Sequence, residues 1–291
     1  MILPPSPLKI LYMTKLSDLA ENKKKLKGLK EILEGLDYAV VALSGGVDSG
    51  FLLAACAEFM DRDRLLAVTS SSPIHPPEEI ETAKKISDKY NVEWRSLEDN
   101  ILENAEFTSN SSDRCYICKK SLFSKLVKLS ERKGFSKVLE GTNKDDKSDD
   151  RPGMRAIKEL NILSPLKEAG LGKGEIREFA KNIGLPNWNR PSKACLATRF
   201  PRGKEISFNQ LKRLGQAEAE IGELGLIDYR VRYHPEKDLA RIEVPEEELQ
   251  KVIWKRKRIV ETLKDHDFSY ITLDLEGYRP SGSGGEKKNN G

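Results

Sequence analysis

Long apolar runs are absent from this 291-residue chain. The clearest one, Phe51 to Ala57, falls far short of the about 20 residues that a membrane-spanning helix needs, so no such helix is expected. Cysteine is scarce. The four present (Cys56, Cys115, Cys118 and Cys195) are too few for a disulfide scaffold in a chain of this length. The three histidines, His75, His234 and His266, stand in no spacing that suggests a ligand set. A large excess of one charge is also missing: 50 Lys and Arg face 46 Asp and Glu, a net charge of +4. A strong nucleic-acid binder is usually more basic. The opening stretch MILPPSPLKI places prolines and a lysine where a secretion signal has its apolar core. A cytoplasmic protein is therefore expected. Met13 is an alternative start that would make residues 1–12 a dispensable leader.

What the chain does have is a mixed composition, 38% hydrophobic and 33% charged, which excludes disorder and fibrous repeats. Its length suggests two domains. Leu16, Leu19, Leu26, Leu29 and Leu33 recur at helical spacing in a lysine-rich stretch, which predicts an amphipathic helix over 15–35. Strands then alternate with helices. Strands are predicted at 38–43, 65–69, 92–97 and 137–140, with a short fifth at 162–164. Helices are predicted at 50–60, 77–90, 116–133 and 173–183. The alternation implies an α/β parallel sheet covered on both faces. After about Arg202 the pattern becomes helix 207–224, strands 229–233 and 239–244, helix 245–263 and strand 270–275, a small α+β domain. The tail from Pro280 has no large apolar residue and is expected to be flexible.

Ser44-Gly45-Gly46-Val47-Asp48-Ser49 falls between the first strand and the helix after it. Two glycines permit a sharp turn, and the helix start aims free N–H groups at the loop. The serines add hydroxyl donors, giving a cradle for a pyrophosphate-sized anion. Asp48 would repel phosphate unless a cation intervenes, so it is expected to face Mg²⁺. The Gly-Lys-Ser/Thr ending of the kinase-type loop is missing.

Cys115-x-x-Cys118 opens a helix, and one distant cysteine, Cys195, lies in a basic loop running from Asn187 to Gly203. Arg and Lys around Cys195 are expected to lower its thiol pKa. Three thiolates fit an iron–sulfur cube, zinc or a redox dithiol, and spacing alone leaves these open. The stretch Gly141-Thr-Asn-Lys-Asp-Asp146, continuing to Asp149-Asp-Arg-Pro-Gly153, follows the fourth strand. It suits either Mg²⁺ binding or a solvated loop. Arg199, Arg202, Arg230 and Arg232 are candidate anion ligands, the last two sharing a strand face, although an exposed basic face explains them as well. Cys56 reads as core, and Lys255 to Arg258 as a solvated face. Trp188 reads either as a base-stacking ring or as packing.

SGGVDS resembles the signature of the PP-loop ATP pyrophosphatases. That resemblance implies an adenine-nucleotide α-hydrolase-like domain over 36–203, between a helical segment (1–35) and a small domain (204–280) with a tail at 281–291. Together with GTNKDDKSDDRPG, ILSPLKEAGL, LPNWNRPSKACLATRFPRG and YRVRYHPEKDLARIEVPE, it resembles the LarE family of sulfur transferases. Those enzymes help to build the nickel-pincer nucleotide cofactor of lactate racemase. The resemblance implies that ATP binds at Ser44, Gly45, Gly46, Asp48 and Ser49 with Mg²⁺. It further implies that a carboxylate of pyridinium-3,5-biscarboxylic acid mononucleotide is adenylylated and receives sulfur. One form of the family sacrifices a cysteine at the position of Cys195. The added Cys115 and Cys118 resemble the other form, in which three cysteines hold a [4Fe-4S] cluster that carries sulfide. The sulfide source is left open, as is a homo-oligomer. A tRNA-thiolating enzyme of the same superfamily is the alternative reading; an ammonia-using synthetase would leave the three cysteines unexplained.

Overall fold

The computed structural model describes residues 15–20, 23–146, 152–190 and 194–278. The predicted tail, the stretch before Lys15 and the acidic pair Asp149–Asp150 lie outside these residues.

The lysine-rich start forms two helices, α1 (Leu16–Ala20) and α2 (Lys24–Glu34), where the periodicity predicts one. Their common stripe is as expected: Leu16, Leu26, Leu29 and Leu33 are buried. The chain then alternates through β1 (Ala39–Ala42), α3 (Val47–Phe59), β2 (Leu65–Ser71), α4 (Pro77–Tyr90) and β3 (Glu93–Glu98). It continues through α5 (Ala105–Thr108), α6 (Arg114–Lys133), β4 (Lys137–Leu139), α7 (Pro152–Glu159), α8 (Pro165–Glu168) and α9 (Lys173–Asn182). Punctuation residues set several of these ends. α4 starts on a proline and closes at Asn91 with φ 52°, and α6 closes at Gly134 with φ 74°.

β1 to β4 form one parallel sheet in the order β3-β2-β1-β4. The fifth predicted strand is only a single parallel bridge from Leu163 to Leu139. Alternation along the strands separates two cores. Ala39, Val41, Leu65 and Ala67 face α3 and α9, whereas Val40, Leu66, Val68 and Val138 face α6 and α7. α3 is apolar on every side and is buried throughout its middle, Cys56 included. The strand order reverses between β1 and β4, which opens a crevice at their carboxyl ends.

The C-terminal part comprises α10 (Phe208–Glu223), β5 (Arg230–His234), β6 (Leu239–Glu243), α11 (Leu249–Trp254), α12 (Arg256–Asp265) and β7 (Tyr270–Leu273). Ser207 caps α10 by accepting from the Gln210 N–H at 3.3 Å. The helix predicted over 245–263 breaks into a 3-10 turn, α11 and α12. Its sheet runs β5-β6-β7, with β6 antiparallel to β5 and parallel to β7. The core beneath it reaches back before residue 204. It takes in Ile74, Ile101, Phe107, Leu196, Ala197 and Phe200. The part of the loop that follows Cys195 is therefore packed with the C-terminal core, while its start at Trp188 packs on the core around α3 and α9.

Candidate functional site

α3 begins at Val47, inside the SGGVDS stretch and three residues before the predicted start, so Asp48 and Ser49 lie in its first turn. The loop before it is wired locally. Ser44 Oγ and Ser49 Oγ are 3.0 Å apart, and Ser49 donates to the Gly46 carbonyl at 3.2 Å. The Gly46 N–H donates to Ser44 Oγ at 3.3 Å. Gly45 has φ 82° and packs so tightly on α4 that a Cβ there would fall on the Glu79 carbonyl oxygen. Only glycine meets both demands.

Asp48 accepts from Asn143 Nδ2 at 3.2 Å through one oxygen, while Oδ1 is buried with no partner among the described residues. Burial, and then the nearby Asp146, push its carboxyl up to about 6, against the pull of Lys173, Asn143 and Arg177. Asp146 accepts from the Asn143 N–H at 3.1 Å and pairs with Lys173 Nζ at 2.9 Å. Asp145 accepts from the Lys173 N–H at 2.7 Å. The GTNKDD stretch is thus a folded bracket between the phosphate loop and α9, not a free solvated loop. An unpartnered carboxylate oxygen beside a second carboxylate suits a hard divalent cation, so the residues fit Mg²⁺.

A cavity of about 740 Å³ opens at the β1/β4 crevice. The whole stretch from Ser44 to Ser49 lines it, with Lys173, Arg177 and Arg190 nearby. Along another wall, α6 presents Cys115, Cys118, Lys119, Leu122, Phe123 and Leu126, a spacing that keeps all six on one helix face. Cys195 lines the same cavity. The three predicted cysteines therefore come together, and each of Cys118 and Cys195 feels the charge of another member of the set. Cys56 is apart, fully buried in α3.

One electrostatic expectation is overturned. Burial outweighs the neighbouring arginines and raises the Cys195 thiol. It also pushes Cys118 up to about 12, with Cys195 and Asp99 adding to the rise. Burial, not the surrounding basic sequence, therefore dominates at both thiols. Among the described residues, no three metal-binding side chains converge on a single point. The three thiols share the cavity, two from α6 and one from the Cys195 loop, without forming a closed ligand set among the described residues.

The candidate anion ligands go elsewhere. Arg199 is buried, forms a two-point pair with Glu218 at 2.8 and 2.5 Å, and donates to the Ala194 carbonyl and Thr198 Oγ1. Arg232 pairs with Glu243 at 3.0 Å and donates to the Thr198 carbonyl at 2.5 Å. Arg230 is buried and donates to the Tyr278 hydroxyl at 2.5 Å. Arg202 is exposed, and none of the four is among the cavity-lining residues. Arg199 instead holds the carbonyl just before Cys195 and the Thr198 hydroxyl, and Arg232 the Thr198 carbonyl after it. Trp188 packs on the first core under Lys181 and also lies off the cavity.

Sequence reasoning missed the clasp on the other side. Arg114 donates to the Ala197 carbonyl at 2.8 Å and to Asn110 Oδ1. Asn110 is fully buried, has φ 56°, and donates to the Pro201 carbonyl at 2.7 Å. It also missed the segment from Pro73 to Glu79. The Ile74 carbonyl accepts from the Leu196 N–H at 3.0 Å, while the Glu79 backbone abuts Gly45, so one short stretch touches both ends of the cavity.

This geometry is that of a PP-loop nucleotide-binding enzyme, and residues 23–119 match the NAD synthase family. Three relatives extend along nearly the whole chain. An uncharacterized protein of Synechocystis sp. is 38% identical over 88% of this chain and 96% of its own length. An uncharacterized protein of Methanocaldococcus jannaschii is 33% identical over 93% of this chain and 99% of its own. The pyridinium-3,5-bisthiocarboxylic acid mononucleotide synthase of Lactiplantibacillus plantarum is 32% identical over 85% of this chain and 89% of its own. The chain belongs to the family of that synthase, the LarE family.

Proposed function

We propose that the chain is an ATP-dependent sulfur transferase that converts carboxylates of pyridinium-3,5-biscarboxylic acid mononucleotide to thiocarboxylates, a step in making a nickel-pincer nucleotide. The observation that carries this reading is that the phosphate loop and three cysteines open to one cavity. A carboxylate resists sulfide because oxide is a poor leaving group. Attack of the carboxylate oxygen on the α-phosphorus releases pyrophosphate and makes AMP the leaving group. The Ser44–Ser49 loop grips the phosphates, and Asp48 with Asp146 would hold the Mg²⁺ that neutralises them. Lys173, Arg177 and Arg190 offset the charge of departing pyrophosphate. Sulfide then attacks the acyl carbon, and AMP leaves.

Cys115, Cys118 and Cys195 are the residues that would hold a [4Fe-4S] cluster. Such a cluster, with three protein ligands, would supply sulfide for the acyl transfer. The arginine clasps on the Cys195 loop fix its distance from α6. The test is anaerobic purification with iron and sulfide analysis, then reaction with ATP, Mg²⁺, sulfide and the mononucleotide. AMP, pyrophosphate and a sulfur-for-oxygen mass change are expected over repeated turnovers. ADP as product, or thiolation of tRNA in place of the mononucleotide, overturns the assignment. Dehydroalanine at Cys195 in step with product, in cluster-loaded protein, overturns the cluster as sulfide carrier.

A further inference from the structure

Every other cation lining the cavity has a task. Lys173, Arg177 and Arg190 surround the phosphate-loop end, each tied to a neighbour: Lys173 to Asp146, Arg177 to the Trp188 and Arg190 carbonyls, Arg190 to Thr82. Arg114 is spent on Asn110 and Ala197. Lys119 differs. It lines the cavity, is half-buried, and its ammonium meets no hydrogen-bond acceptor or carboxylate among the described residues. Its stem is held all the same. Gly153 of α7 lies so close that a Cβ there would come 3.0 Å from Lys119 Cδ and 3.4 Å from Cε. The glycine closing the GTNKDDKSDDRPG stretch thus makes room for this side chain.

Its place along α6 says what it is for. One helix face carries Cys115 and Cys118, then Lys119, then Leu122, Phe123 and Leu126. The last three line the cavity together with Val68, Thr69 and Ser70 at the end of β2, a wall of apolar side chains and two hydroxyls with room for a flat base. Lys119 directly follows Cys118 and sits about one turn from Cys115 on one side and from Leu122 and Phe123 on the other. The atom that links a nucleoside to the acyl group sulfur will attack is the α-phosphorus. We infer that Lys119 is a catalytic residue whose ammonium binds the α-phosphate oxygens during adenylylation and stays with the acyl adenylate until sulfur arrives. The carboxylate oxygen forms its bond to the α-phosphorus as the bond to the bridging oxygen of pyrophosphate breaks. The growing negative charge on the α-phosphate oxygens is what the ammonium offsets. No proton moves.

This inference rests on the proposed sulfur-transferase reading, and its test separates the two. Substrate-dependent pyrophosphate release is measured for wild type, Lys119→Ala, Lys119→Arg and Gly153→Ala, beside the visible absorbance of anaerobically reconstituted protein and ATP affinity by equilibrium binding. Lys119→Ala should slow pyrophosphate release on the order of a hundredfold. Cluster absorbance and ATP affinity should stay near wild type. Lys119→Arg should restore part of the rate, and Gly153→Ala, which displaces the stem without removing the charge, should lose less than Lys119→Ala. Wild-type pyrophosphate release from Lys119→Ala overturns the inference alone, as does loss of its cluster absorbance in parallel with its rate. A wild-type protein that releases no pyrophosphate with the mononucleotide overturns the sulfur-transferase reading and the inference with it.

Discussion

At the phosphate-loop end of the cavity, one unbroken stretch from Ser44 to Ser49 supplies the turn, the donors and the helix start. At the cysteine end, the thiols come from α6 and from a loop whose later part belongs to the C-terminal core. The first end is shaped by backbone conformation and stands on its own sheet. The second is an assembly of long-range side-chain bonds: Arg114, Arg199 and Arg232 each clasp the residues that follow Cys195 or the carbonyl just before it. The contrast shows where arginine is spent. Cations that a basic loop suggests for substrate are used to hold the loop in place.

Arg199→Ala strikes hardest at this contrast. It leaves Glu218 buried without its partner, which should cost about 3–5 kcal/mol by denaturant unfolding. ATP affinity of the protein that remains folded should hold. A loss confined to KM for the mononucleotide, with stability unchanged, would return Arg199 to the substrate.

Gly45→Ala should act at the other end. It strains φ and drives the loop off Glu79, and a displacement on the order of 1 Å costs about a hundredfold in turnover. Pyrophosphate release reports it, while cluster absorbance should be untouched. Equal loss of both would mean that the two ends are not built independently.

Asp48→Asn probes the phosphate-loop end through pH. The folded carboxyl keeps its proton up to about 6, while the unfolded one releases it near 3.8. The unfolded state therefore binds fewer protons in between, and stability falls as pH rises through that window. The amide of the variant carries no such charge, so the ligand-free variant should be more stable than wild type at pH 8, by about 2–3 kcal/mol, and nearly equal to it at pH 3. Mg²⁺-dependent pyrophosphate release should vanish. A variant that is no more stable at pH 8 would show that Asp48 already has a partner.

The smallest effect belongs to Cys56→Ala. Removing one buried sulfur from α3 should cost about 1 kcal/mol and leave iron content unchanged. Lost iron would bring this cysteine into the cluster set.

What the sequence made legible follows the same divide. The parallel sheet, α3, α4 and the glycine loop came from contiguous signals: apolar runs, a proline start, a Gly-Gly turn. α7 was missed because the charged stretch running to Gly153 reads as a loop, although proline at the first helical position is compatible with a helix. The burial of Arg199 and Arg230 was not legible because burial is a property of the fold. Nothing near them in the chain shows that Glu218 and Tyr278 are waiting. Asn110 did leave a trace, an asparagine among serines just before the helix, the residue type that tolerates positive φ.

The stretch from Pro73 to Glu79 behaves as a strut. Pro73, Pro76 and Pro77 leave its backbone few alternative conformations, so little entropy is lost in holding its turn and helix start in place. One end meets the loop that grips phosphate; the other is bonded to the residue after Cys195. The gap between the group to be activated and the sulfur that replaces it is thereby set by a ruler of fixed length, present before either ligand arrives.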